Sequence, residues 1–201
     1  EVVFEKIIET IIALKNSALK DKITVTFVAH KNNIAELPEY VDFVHRLGVK
    51  EIQVSNLLTF TKEMVGQELY AQQENKQAMS LFEDAVKRAK KNKQVISMPR
   101  LSPVQMGCQA CESFFVDTNG NVAPCDFLAV TTPFTLWGKT IQNPPVLLGN
   151  ILKSNPLHIY RSAAFKKFRT AHRLGENLPK ECTNCIDAYG LMCSNRIHHP
   201  S

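Results

Sequence analysis

The chain has no cysteine before residue 108, no run of about 18 apolar residues such as a membrane span requires, and no low-complexity segment. Its N-terminal residues also lack the basic, apolar and small-residue regions of a secretory signal. The expectation is a cytoplasmic chain with no membrane partner, whose thiols stay reduced, and disulfides are disfavoured on that ground. A hydrophobic content of 44% over 201 residues suits a folded protein with a real core, and the length allows one large domain or two small ones. The net charge of +5 invites a nucleic-acid reading, but much of the excess sits in one run, Lys87 to Lys93 (KRAKKNK), with no aromatic residue interleaved for base stacking. At the end of a predicted helix these cations complement the carbonyl end of the helix dipole, so no nucleic-acid partner is expected.

The first hundred residues alternate helix and strand. Phe4, Ile7, Ile8, Ile11 and Leu14 recur at helical spacing, and Ile23 to Ala29 (ITVTFVA) is a β-branched run of the kind buried in a parallel sheet. A helix with inner face Leu37, Val41, Val44 and Leu47 follows, with Pro38 in its first turn and Gly48 ending it. Then come a strand at Glu51 to Leu57, a long amphipathic helix marked by Ala78, Leu81, Phe82, Ala85, Val86 and Ala89, and a strand at Gln94 to Met98. This order is the signature of a parallel α/β unit. Three strands make a poor independent sheet, so the segment reads as a piece of a larger barrel. Glycines, prolines and cysteines replace the alternation after Pro99, which places a boundary near residue 100 and gives domains 1–100 and 101–201.

The second region holds all six cysteines, in two triplets: Cys108, Cys111, Cys125 and Cys182, Cys185, Cys193. Each triplet opens with a C-x2-C pair, which lets two thiolates meet one centre from a single turn, a grammar of iron–sulfur or zinc sites. Residues 113–117 and 121–123 flank the turn Thr118-Asn119-Gly120, whose Asn-Gly pair supplies the positive backbone angles of a tight hairpin. Cys108 and Cys111 precede that hairpin and Cys125 follows it, so the strand ends bring three sulfurs together at its open end. The second triplet supplies a fourth ligand if the helix predicted from Pro156 to His172 folds back. A Pro- and Gly-rich loop carrying Trp137 lies between.

At these residues the chain resembles a family. Cys108, the G-x4-C of Gly120 and Cys125 (GNVAPC) and the C-x2-C of Cys182 and Cys185 resemble the SPASM or twitch domain that follows the barrel in many radical S-adenosylmethionine (SAM) enzymes. The C-x2-C-x13-C spacing of the first triplet is similar to the auxiliary-cluster triplet of the cyclases of molybdenum-cofactor synthesis. Gly149-Asn150-Ile151 and the run IYRSAAFKKFR from Ile159 to Arg169 match the family's usual intervening motif. FEKIIETIIAL, TVTFVAHKNNIAEL and LGVKEIQVSNLL resemble the second half of a radical SAM barrel, with Asn33 where the family often has an asparagine after a strand. Two departures stand out: the C-x3-C-x2-C motif that binds the SAM-cleaving cluster is not among these residues, and Leu191 and Asn195 occupy cysteine positions of the full SPASM pattern, with Cys193 between them.

The resemblance implies an α/β fold: the C-terminal half of a partial (β/α) barrel, then a small α+β SPASM/twitch domain. It implies one complete auxiliary [4Fe–4S] cluster on Cys108, Cys111, Cys125 and the second triplet, and a second cluster only with shifted or non-cysteine ligands. In the full-length enzyme it implies SAM, a redox donor such as ferredoxin or flavodoxin, and a peptide or small-molecule substrate. The cluster would position substrate or transfer an electron. His30 and Asn33, after one strand, and Ser55 and Asn56, at the end of the next, sit where an α/β barrel presents ligand contacts, although such residues are also ordinary loop caps. Arg169 is either an anion contact or a partner for a neighbouring carboxylate. His198 and His199 lie where fraying is expected. The alternative, from a different class, is a standalone module holding structural zinc or an electron-carrying cluster, without catalysis.

Overall fold

The computed structural model describes residues 2–71, 75–102, 107–108, 114–191 and 195–197. Two compact units result. The first holds the chain up to Leu57, Gln67–Leu101 and the strand Asn195–Ile197, and the second holds Leu58–Gly66 and the described residues from Ser102 to Leu191.

In the first unit, helices α1 (Val2–Lys15), α2 (Leu37–Leu47) and α3 (Lys76–Lys91) alternate with strands β1 (Thr24–Ala29), β2 (Glu51–Asn56) and β3 (Val95–Met98). The caps follow the expected chemistry: Pro38 lies in the first turn of α2, Gly48 ends it at φ +81°, and the Asn75 side chain accepts from the Ala78 amide to start α3. β1, β2 and β3 are parallel, with Thr24 opposite Glu51 and Glu51 opposite Val95. Leu37, Val41, Val44, Phe82 and Ala85 pack with Phe27, Ile52, Val54 and Ile96 in one core. Arg88 reaches Asp42 at 2.6 Å and Asp84 at 3.2 Å, so a residue of the basic run ties α3 to α2.

Two sequence expectations change here. β1 is covered on one face only: Phe27 and Ala29 are buried while Thr24, Thr26 and Val28 are exposed. The sheet is also mixed. Strand β9 (Asn195–Ile197) joins it antiparallel to β3, Met98 opposite Asn195, so the order is β1-β2-β3-β9 and no closed barrel forms among the described residues. The fold shown is mixed α/β with small sheets. No described helix is long and apolar enough to cross a membrane.

The second unit has short strands. β4 (Phe115–Val116) and β5 (Asn121–Ala123) form the expected hairpin, and β8 (Gly149–Asn150) adds to β5. Only Gly120 of the turn has positive φ, +77°. Asp117 replaces the Asn-Gly geometry that the sequence suggested: its Oδ1 accepts from the Asn119 and Asn121 amides, each at 2.8 Å. Residue 113, the expected start of the first strand, lies outside the described residues. The expected loop around Trp137 contains a second hairpin, β6 (Phe134–Leu136) and β7 (Lys139–Ile141), turned by Trp137 and Gly138 at φ +50° and +74°. The helix expected from Pro156 to His172 is two helices, α4 (Pro156–Arg161) and α5 (Ala163–Leu174). Ser162 breaks it, because its hydroxyl accepts from the Phe165 amide and starts α5 afresh.

Candidate metal centre

The described thiols are placed by turns, and the turns by packing against α5. Phe165 and Phe168 form the inner face of that helix and bury themselves with Leu128, Leu178, Cys182 and Ala188. Arg169 locks α5 to α4: its guanidinium donates to the Tyr160 carbonyl at 2.7 Å and lies 4.0 Å from the Tyr160 ring centre and 4.8 Å from that of Phe165. This is neither of the roles expected for Arg169. It accounts physically for the tyrosine, serine, phenylalanine and arginine of the IYRSAAFKKFR run as one helix–helix joint.

Cys182 ends a turn of 3₁₀ helix, Lys180–Cys182, and its carbonyl accepts from the Cys185 amide at 3.1 Å, so the C-x2-C pair occupies a single turn. Cys125 follows β5, and the amides of Leu128 and Phe127 donate toward its sulfur. Cys185 is treated alike by the amides of Ala188 and Asp187. Backbone donors aimed at sulfur are what a metal-bound thiolate needs, because they stabilise its charge without adding a bulky cation.

Cys108 enters from the other side. A methyl group on Gly107 would stand 2.2 Å from the His172 carbonyl oxygen, so only glycine allows the chain to pass the end of α5 there, at φ +74°. The next amide, that of Cys108, donates to His172 Nδ1 at 3.1 Å.

Cys108, Cys125, Cys182 and Cys185 then line one cavity, together with His172 and Asp187. All four are free thiols. Burial pushes the Cys125 thiol up to about 12, with Cys185 and Asp126 adding to the rise against the two amides. Burial likewise raises Cys182, helped by the neighbouring Cys185 and Cys125, and raises Cys185. The raised thiols favour their protonated form, and a thiophilic cation would take the place of the protons on binding. His172 is lowered by burial, with Asp187 opposing. The donor set fits a thiolate-ligated metal group: four sulfurs on one cavity, two of them met by backbone amides. Among the described residues no three His, Cys, Asp or Glu side chains close on a single ion, and Cys111 and Cys193 lie outside those residues, as do His198 and His199.

The strand-end candidates belong to the first unit, and the structure brings them together at the C-terminal end of β1 and β2, where Val28 pairs with Ser55 and Ala29 with Asn56. Asn33 Oδ1 accepts from the His30 amide at 2.9 Å while its Nδ2 donates to the Val28 carbonyl at 2.9 Å. Asn56 is buried and donates to the Arg100 carbonyl at 2.8 Å. Both asparagines hold backbone. His30 and Ser55 are half-buried.

His172, Asp187 and Gly107 were not singled out from sequence. His172 was within reach of that reading, since it continues the spacing of Phe165 and Phe168 on the buried face of α5. Asp187 and Gly107 gave no signal beyond lying beside cysteines.

No curated protein and no solved structure matches the chain. Residues 108–186, which span Cys108 through Cys185, match the family model of SPASM, an iron–sulfur cluster-binding domain.

Proposed function

We propose that this chain is the C-terminal portion of a radical SAM enzyme, in which the second unit holds one auxiliary [4Fe–4S] cluster that positions substrate or passes an electron. Cys108, Cys111, Cys125 and members of the second triplet are its ligands. The observation that carries this reading is the convergence of four thiols from two distant triplets on one cavity within the segment matched by the SPASM model. When bound, the group supplies a one-electron redox centre. The chain's own part is to hold it: Cys125 and Cys185 offer sulfurs already met by amides, Gly107 lets Cys108 approach, and the α5 face excludes water behind them.

The first unit is read as the matching part of the barrel. A parallel sheet is ordinarily covered on both faces, and here the open face of β1 carries Thr24, Thr26 and Val28, as an inward barrel face would. His30, Asn33, Ser55 and Asn56 would then rim the SAM or substrate side, with Asn33 and Asn56 acting chiefly through the backbone they brace. SAM cleavage itself requires the C-x3-C-x2-C motif, which is not among these residues. The setting is cytoplasmic, with ferredoxin or flavodoxin as donor and a peptide or small molecule as substrate.

Metal analysis of the anaerobically reconstituted chain tests the assignment. About four iron and four acid-labile sulfide per chain are expected. One tightly held zinc without sulfide would instead establish the standalone structural module, in which four donors sit about 2.3 Å from one ion.

A further inference from the structure

Two buried polar atoms in the wall of the thiol cavity have no hydrogen-bond partner among the described residues: His172 Nε2 and Asp187 Oδ1. The residues are only 4% and 8% exposed, and both line the cavity with the cysteines. A buried donor or acceptor without a partner is costly, so each needs an explanation. They do not hydrogen-bond to one another, although the Asp187 carboxylate acts on the imidazole electrostatically.

The hydrogen bond on the far side of the ring fixes what His172 offers. Its Nδ1 accepts from the Cys108 amide, and a backbone amide can only donate, so Nδ1 carries a lone pair and no proton. The proton of the imidazole is then on Nε2. That excludes Nε2 as an iron ligand in this tautomer and makes it a donor on the wall of a cavity whose lining holds four thiols, the carboxyl groups of Asp126, Glu181 and Asp187, and the polar side chains of Thr132 and Asn143. The ring is held in place from both sides, by the Cys108 amide and by Phe168, whose ring centre lies 4.4 Å away. A donor so fixed is suited to an acceptor that arrives with the metal.

We propose that His172 is a positioning residue for the cluster: its Nε2–H donates to a cluster sulfur, either a bridging sulfide or a ligating thiolate. This rests on the cluster reading above. A hydrogen bond to sulfur withdraws charge and favours the reduced, more negative state, so His172 raises the reduction potential of the centre.

Two variants of the full chain separate the two ring nitrogens. His172→Asn keeps an acceptor near Nδ1 for the Cys108 amide but has nothing at the Nε2 position, whereas His172→Gln places an amide donor there. Iron and sulfide content, redox titration and resonance Raman spectra are measured on both after anaerobic reconstitution. The expected result is a cluster in each, with a more negative midpoint and shifted iron–sulfur stretching bands in His172→Asn, and values near wild type in His172→Gln. Loss of iron from the Asn variant alone would also assign the role to the Nε2 donor. Equal shifts in both, no shift in the Asn variant, or loss of the cluster from both would overturn the proposal. A wild-type chain that takes up zinc and no sulfide would instead remove the cluster reading on which it rests.

Discussion

The two units differ in the company their buried polar groups keep. In the first, strand-end side chains that resemble ligand contacts are committed to the backbone: Asn33 bridges His30 and Val28, and Asn56 holds Arg100. In the second, His172 Nε2 and Asp187 Oδ1 are left over inside a wall of thiols. The first unit is a packed α/β layer open on one face of β1, with strands of up to six residues and one continuous core. The second has strands of two or three residues and a core that counts Cys182 among its buried members. Among the described residues, unpartnered buried atoms occur in both units, Gln94 Oε1 and Arg100 Nε in the first among them, so it is the thiols around His172 and Asp187, rather than the missing partner alone, that point to chemistry.

The largest expected effect comes from breaking the second unit at its ligands. Cys125→Ala should lose most of the iron, because it alone represents the hairpin's second strand, while the same change at Cys193, out of register with the family pattern, leaves most of it. Hydrogen exchange should show protection falling in the second unit of the Cys125 variant and holding in β1 to β3. Uniform loss of protection across both units would erase the contrast drawn here.

A packing change sharpens the same contrast. Phe165 is fully buried between α4, α5 and the cysteine turns, so Phe165→Ala should cost about 3–5 kcal/mol. It should also lower cluster occupancy, since the turn carrying Cys182 loses its support. Val41→Ala, equally buried in the first unit, should destabilise by a smaller amount and leave occupancy alone. Denaturant titration beside iron analysis separates the two.

The smallest effect expected is at Asn33. Asn33→Ala removes two hydrogen bonds to backbone at the end of β1 and should cost about 1–2 kcal/mol of stability with no change in iron content. A variant of wild-type stability would show that these bonds contribute little, and the residue would then be free to serve a ligand instead.

Periodicity made the first unit readable. Its helices and strands are long enough for apolar spacing to register, and Pro38 and Gly48 mark the ends of α2 as expected. The open face of β1 was hidden because Ile23 to Ala29 reads as an apolar run, and the alternation of Thr24, Thr26 and Val28 against Phe27 and Ala29 appears only once the covering helices are placed. In the second unit, cysteine spacing pointed to the site while the fold stayed obscure. Strands of two or three residues carry too little pattern, and Trp137 is an unusual residue for a positive-φ turn. The break at Ser162 was missed because a serine inside an amphipathic pattern looks like a surface position until its hydroxyl is seen to cap the next helix.

Strand β9 ties the two ends of the cysteine-bearing segment to a single sheet, with Met98 paired to Asn195. Docking of the fourth strand of the first unit therefore closes a loop made of all the chain between those residues, at an entropic cost that falls as the intervening chain becomes compact. The parallel core is local, whereas the outer edge of Val95–Met98 stays open until Asn195–Ile197 docks on it. An exposed strand edge is where chains stick to one another. With the cluster bound as proposed above, metal supply during synthesis would set how long that edge remains uncovered, and iron starvation would be felt as aggregation.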